Sequence, residues 1–113
     1  MNKYGNRKTE VDGILFDSRK EAARWCELKL LQRAGEIYDL NRQVPFTVIP
    51  AQRDDKGKLL ERETKYIADF TYRDRKTGRI VVEDTKSEAT KTPEYVLKRK
   101  LMLYRFGIRI VEV

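Results

Sequence analysis

The chain has 113 residues, with 25 lysines and arginines against 18 aspartates and glutamates for a formal net charge of +7. That length holds one domain with one modest core, and a hydrophobic share of 40% is enough to fill it. With no histidine and a single cysteine, the common zinc sites, a Ser-His-Asp triad and an intrachain disulfide are excluded, which leaves carboxylates, lysines, tyrosines or a hard metal ion.

Residues 1–8 are polar and basic and are expected to form a loose arm. They lack the apolar core of a secretory signal, and no apolar run approaches the length of a membrane span. With the lone Cys26, this sets the expectation of a cytoplasmic protein that does not enter membranes. Residues 8–16 read as a short hairpin around Asp12-Gly13, a pair that tolerates positive φ at both turn positions.

Ser18 is a good helix N-cap and Glu21, three residues on, completes a capping-box pattern. Ala22, Ala23, Cys26, Leu30 and Ala34 recur at helical spacing as an expected core stripe, and Gly35 supplies the stop. Residues 37–49 look extended, interrupted by Pro45 and closed by Pro50, and residues 54–57 form a turn. Residues 63–72 alternate as a strand, residues 73–78 turn, and residues 79–85 carry the continuous run Ile80-Val81-Val82 of a buried central strand. After a polar loop, Pro93 opens a helix over 94–106 with Leu97, Leu101 and Tyr104 on its expected apolar face. Gly107 stops it before a last strand over 108–113. The order is helix, three or four strands, helix, strand, so the fold class is α/β in the sense of an α+β mixed sheet with helices against it, in a single domain over 1–113.

Chemistry concentrates in Ile67-Ala68-Asp69-Phe70 and Val82-Glu83-Asp84-Thr85-Lys86. Asp84 and Lys86 stand two apart on one strand and share a face, and a hairpin brings Asp69 within reach of Asp84. Parity with Lys86 selects Asp84 over Glu83 as the inward carboxylate. Two carboxylates and an ammonium on one sheet edge suit Mg²⁺, or Mn²⁺, with a lysine to orient water. The plain alternative is an exposed ion pair at a strand end, contributing about 0–1 kcal/mol. Glu21 reads equally as a helix cap and as a further site carboxylate.

Asp69 followed by Asp84-Thr85-Lys86, in that order of elements, resembles the PD-(D/E)XK nuclease superfamily. Lys3-Tyr-Gly-Asn-Arg-Lys8, Asp12-Gly13, Phe16-Asp-Ser18, Lys20-Glu-Ala22, Tyr66 to Phe70 and Lys91-Thr-Pro-Glu-Tyr95 are similar to an uncharacterised family of small phage and prophage proteins. That family is placed beside the Holliday-junction resolvases. The resemblance spans nearly the whole chain and implies a restriction-endonuclease-like αβββαβ core carrying the N-terminal hairpin. It further implies a DNA endonuclease in a bacterial host cytoplasm, with branched or junction DNA as the analogy-based substrate. Asp69 and Asp84 would be metal ligands, joined by a backbone carbonyl near Thr85. Lys86 would be the catalytic lysine and Glu21 the additional acid. Ala68 stands where the motif has proline.

Lys91, Tyr95, Lys98, Lys100, Arg7 and Lys8 are candidate nucleic-acid contacts, although charged helix faces are usually only solvated. Trp25 and Tyr104 are expected in the core. A homodimer is expected, since one site cuts one strand at a time, with Val44, Phe46 and Val48 as its candidate surface. The rival function is a non-catalytic DNA-binding module, or a phage interaction protein, that keeps the fold.

Overall fold

A computed structural model describes residues 8–113. Arg7, and the expected arm except for Lys8, lie outside the described residues.

The local signals act as their chemistry requires. Strands β1 (Thr9–Val11) and β2 (Ile14–Phe16) pair antiparallel through Asp12 and Gly13, both at positive φ. Helix α1 (Arg19–Arg33) begins where the Ser18 hydroxyl accepts the Glu21 N–H at 3.1 Å, and it stops before Gly35 at φ +81°. Helix α2 (Pro93–Phe106) starts with Thr92 capping the Tyr95 N–H and ends on left-handed Gly107.

Between the helices run β3 (Ile37–Ile49), β4 (Gln52–Arg53), β5 (Leu59–Glu61), β6 (Thr64–Asp74) and β7 (Ile80–Asp84), with β8 (Val111–Glu112) at the end. The main sheet is ordered β3-β6-β7-β8: β6 is antiparallel to both neighbours, and β7 pairs parallel with β8. This is the mixed sheet expected from the element order. β4 and β5, which the sequence pattern does not announce, form a separate two-stranded ribbon. Pro45 is tolerated because β3 is an edge strand, where a missing N–H need not break the ladder. Among the described residues no helix is long and apolar enough to cross a membrane.

Two apolar clusters hold the fold. One packs Phe16, Ala22, Leu28, Ile37 and Phe70 under α1, and the other packs Val48, Tyr66, Ala68, Val82, Met102 and Ile110 under α2. β6 serves both, with Tyr66 and Ala68 in one and Phe70 in the other, so the changeover falls on Asp69.

The helix faces differ from the expected stripes. On α1, Trp25 wedges between Phe16 and Phe70, at 6.2 and 5.9 Å between ring centroids, and this turns Cys26, Leu30 and Ala34 outward. On α2, Tyr95 and Met102 face the core, leaving Leu97 and Tyr104 exposed. Of the three residues expected at a dimer surface, Val44 is half-buried and the other two are taken up within the fold. Val48 is buried, and Phe46 packs against Tyr66 and Phe106.

Candidate active site

The parallel pairing of β7 with β8 fixes the end of the central strand. The Val113 N–H donates to the Asp84 carbonyl at 3.0 Å, and the Lys86 N–H donates to the Val113 carbonyl at 3.1 Å. Val82, Glu83 and Asp84 are all buried, as befits a strand covered on both faces.

Glu83 and Asp84 therefore part company. Glu83 accepts from Arg24 Nε and Nη2 at 2.7 and 2.6 Å and from the Tyr72 hydroxyl, making a fully paired buried carboxylate. That bidentate pair holds α1 to the sheet, and it pushes the Arg24 guanidinium further from neutrality. Asp84 turns instead to the site. Its Oδ2 accepts from the Tyr66 hydroxyl at 2.5 Å and its Oδ1 lies 3.3 Å from Lys86 Nζ. Asp84, and not Glu83, thus lies beside Lys86.

Lys86 Nζ stands 4.4 Å from the centroid of the Tyr95 ring, while Lys20 Nζ donates to the Lys86 carbonyl at 3.0 Å. The ammonium is thus backed by an aromatic face and tied to one carboxylate.

Asp69 is held from the next strand. Its Oδ2 accepts from the Thr85 N–H at 2.8 Å and from the Thr85 hydroxyl at 2.7 Å. Across the sheet, Gln43 lies between the paired positions Arg42–Phe70 and Val44–Ala68, with φ at +53°. A non-glycine residue there is uncommon and strained. Its Nε2 sits 3.5 Å from Asp69 Oδ1 and 3.4 Å from Glu21 Oε1, so it bridges the two carboxylates. Glu21, on the first turn of α1, is buried with its carboxyl toward this cluster. It is both helix residue and site residue: Ser18 caps its N–H while its side chain faces Asp69.

The electrostatics divide the three acids. Burial, then the neighbouring Asp69 charge, raises Asp84 to about 7 despite help from Tyr66 and Lys86. Burial and Asp69 push Glu21 in the same direction. Burial also presses Asp69 upward, but hydrogen bonds, first the two from Thr85 and then those with Asp84 and Glu21, together outweigh it and leave its pKa below the ordinary value. Negative charge therefore settles on Asp69, and repulsion falls on Glu21 and Asp84. Among the described residues no group of three or more histidine, cysteine, aspartate or glutamate side chains is arranged to hold a metal ion. Asp69 and Asp84 direct oxygens to Thr85 and Tyr66 instead.

The expected nucleic-acid contacts scatter. Lys98 borders the same depression as Asp84 and Lys86, although it also pairs with Glu94 at 3.0 Å. Lys91 pairs with Glu112 at 3.1 Å, Lys100 borders a different depression with Arg99 and Arg109, and Lys8 is exposed before β1. Tyr95 is not a surface contact. It is buried, its hydroxyl donates to Glu112 at 2.6 Å, and its ring supports Lys86. Burial and the Glu112 carboxylate push its hydroxyl pKa up, which keeps it protonated.

Sequence reasoning missed Gln43, Tyr66, Thr85 as a holder of Asp69, Lys20 and Lys65, the last of which lines the depression beside Asp84. Tyr66 had a usable signal, since it stands on the strand that carries Asp69. Gln43 had none, because its position depends on the register of β3 and on its own unusual backbone.

The sequence model of a family described as Protein of unknown function (DUF1064) matches residues 1–111. No curated protein and no solved structure matches the chain.

Proposed function

This chain belongs to the DUF1064 family, and we propose that it is a divalent-metal-dependent endonuclease that hydrolyses phosphodiester bonds in DNA. One observation carries the reading: Glu21 from α1, Asp69 from β6, and Asp84 with Lys86 from the end of β7 gather at one point, joined by Gln43, Thr85 and Tyr66. A solvated surface ion pair has no need of three acids brought together by burial. The order of α1, β3, β6, β7, α2 and β8 also supports the likeness to PD-(D/E)XK nucleases.

The residues fit Mg²⁺ or Mn²⁺ by the chemistry of their donors. The ligating atoms are carboxylate oxygens, and two of the three acids are pushed toward neutrality by burial and like charge, so a hard cation would relieve both. Asp69 and Asp84 would hold the ion, with Glu21 as the third acid. When bound, the ion supplies charge neutralisation at the scissile phosphate and lowers the pKa of a coordinated water. Thr85 and Tyr66 fix the directions of the two aspartates. Lys86 presents an ammonium that would orient the attacking water by donating a hydrogen bond to its oxygen, held in place by Asp84 and the Tyr95 ring. The exposed Cys26 is free, in keeping with the reducing cytoplasm proposed as its setting.

A second reading, a non-catalytic DNA-binding module on the same fold, is favoured by the way Asp69 and Asp84 turn toward Thr85 and Tyr66. Nicking of supercoiled plasmid and of a four-way junction separates the two, in Mg²⁺, Mn²⁺ and EDTA, with Lys86→Ala beside the wild type. Metal-dependent nicking lost in the variant supports the nuclease. Nicking that is absent in both proteins, with DNA still bound, supports the module. A strong preference for the junction would add the resolvase-type substrate.

A further inference from the structure

The chain between β3 and β6 leaves the sheet as a ribbon that nothing in the fold requires. β4 and β5 pair with each other, and no other element packs substantially on either. Nearly every residue from 51 to 63 is exposed. A lone two-stranded hairpin in water is marginal, yet this one is densely bonded. The Asp54 side chain accepts from the N–H groups of Lys56 and Lys58 at 2.9 Å, Gly57 N–H donates to the Asp54 carbonyl at 3.0 Å, and Arg53 donates to the Gly57 carbonyl at 3.0 Å. Gly57 takes φ +85°, as the turn demands.

The ribbon is neutral overall, with Arg53, Lys56, Lys58 and Arg62 against Asp54, Asp55, Glu61 and Glu63, but Arg53 and Arg62 share one depression that neither Asp55 nor Glu61 borders. Asp54 is turned into its own turn, and Glu63 is held by Thr47 and Lys65. Lys56, Lys58 and Arg62 have no carboxylate partner among the described residues. Arg53, Arg62 and Lys65 line one depression at the base of the ribbon, with Leu59 and the Lys65-paired Glu63 among them. Lys65 also lines the depression that contains Asp84, Lys86 and Lys98. Lys65 therefore joins the depression of the acidic cluster to the one that Arg53 and Arg62 border at the base of the ribbon.

Resting on the endonuclease reading, we propose that the β4–β5 ribbon is a duplex-binding arm, which lies in a groove of the DNA being cut and holds it over the acidic cluster. A two-stranded ribbon fits the major groove, about 12 Å wide. Arg53, Arg62 and Lys65 meet backbone phosphates, and Leu59 gives apolar contact on the same face. Leu60, 59% exposed, follows Leu59 in an extended strand and points to the opposite side.

The test is fluorescence anisotropy of a labelled duplex of about 30 base pairs, in EDTA so that no cleavage intervenes, across a salt series. The double variant Arg53→Glu/Arg62→Glu is compared with Lys100→Glu/Arg109→Glu, which makes the same change of charge elsewhere. The arm variant is expected to bind at least about tenfold more weakly, with the slope of log affinity against log salt smaller by about 2. The control is expected to lose about threefold or less on the same electrostatic basis. Leu59→Ser should weaken binding where Leu60→Ser does not. Circular dichroism checks that each variant is folded, and because the ribbon touches no core, the serine variants keep the test available if charge reversal disturbs expression. Equal losses from arm and control, unchanged affinity in the arm variants, or no duplex binding by the wild type would each overturn the arm. Plasmid nicking on the same samples keeps the two ideas apart: a wild type that binds through the ribbon but never nicks refutes only the nuclease, and one that nicks with equal affinities refutes only the arm.

Discussion

Replacing Asp84 by asparagine is expected to stabilise the metal-free protein at high pH. The carboxyl is buried, shares its surroundings with Asp69, and has a pKa raised from 3.8 to about 7. Raised carboxylates bind more protons folded than unfolded between these values, so stability falls as pH climbs through that window and stays low above it. At about 1.36 kcal/mol for each pH unit, the ionised side chain costs at most about 4 kcal/mol above pH 7. Asparagine removes that cost and keeps an acceptor for the Tyr66 hydroxyl, but it gives up the 3.3 Å ion pair with Lys86. The raised pKa already contains the Lys86 attraction, so the pair is not subtracted again, and the looser fit of an amide in the place of the carboxylate leaves a net gain of roughly 1–3 kcal/mol. For a domain of this size that raises Tm by several degrees at pH 8 in EDTA, on the order of 4 °C per kcal/mol. At pH 5 about 1.6 kcal/mol of that cost is already present, from 1.2 pH units above 3.8, so the advantage of the variant should shrink from pH 7 to pH 5 and vanish only near pH 4. Thermal melts by circular dichroism at pH 5, 6, 7 and 8 read both the gain and its pH dependence. An Asp84→Asn protein that melts below the wild type at pH 8, with an unchanged pH profile, would show that the carboxylate is structural and the repulsion is not there.

Other outcomes follow from the same geometry. Glu83→Ala should cost about 3–5 kcal/mol in urea unfolding, because it strands the Arg24 guanidinium and the Tyr72 hydroxyl; a loss under about 1 kcal/mol would show that this pair does not hold α1 to the sheet. Mg²⁺ at ten times its Kd should add about 1.4 kcal/mol to the wild type at pH 8 and clearly less to Asp84→Asn, read as a shift in Tm. Identical shifts would place the ion elsewhere. Lys86→Ala should lower plasmid nicking by on the order of 100-fold or more while DNA affinity stays within a few fold. Lys98→Ala should lower the salt slope of DNA binding by about 0.9, and Lys100→Ala should not, because only Lys98 borders the acidic cluster.

The element order was legible because punctuation here is local. Asp12-Gly13, Ser18, Gly35, Pro93 and Gly107 each act through their own φ or a hydrogen bond spanning three residues, and each stands where that chemistry placed it. Helix faces were less legible. On α1 the small residues Ala22, Ala23, Cys26 and Ala34 made a plausible stripe, but the largest side chain decided the rotation, since burying Trp25 between Phe16 and Phe70 outweighs burying a thiol. On α2, Tyr95 won the inward position over Leu97 because Glu112 on β8 satisfies its hydroxyl, a contact across 17 residues that no helical period contains. The ribbon of β4 and β5 is five residues of strand with no apolar alternation, and so it left no periodic trace.

Within the site, strand parity was enough to separate Asp84 from Glu83, because alternation is enforced wherever a strand is covered on both faces. It could not reach the division of charge among the acids. Asp69 keeps its charge because the Thr85 N–H and hydroxyl both point at one of its oxygens, and that depends on Thr85 following the last paired residue of β7, where its N–H is released from the ladder. Glu21 and Asp84 then carry the repulsion from Asp69, and Gln43 takes a left-handed backbone to set its amide between Glu21 and Asp69. A residue kept at φ +53° opposite an acidic cluster gives the fold nothing that glycine would not give at lower cost. Its amide is what glycine lacks. The strain at Gln43 and the repulsion at Asp84 therefore point the same way: the sheet holds these acids closer than stability alone would choose, a crowding that the cation of the proposed function would relieve.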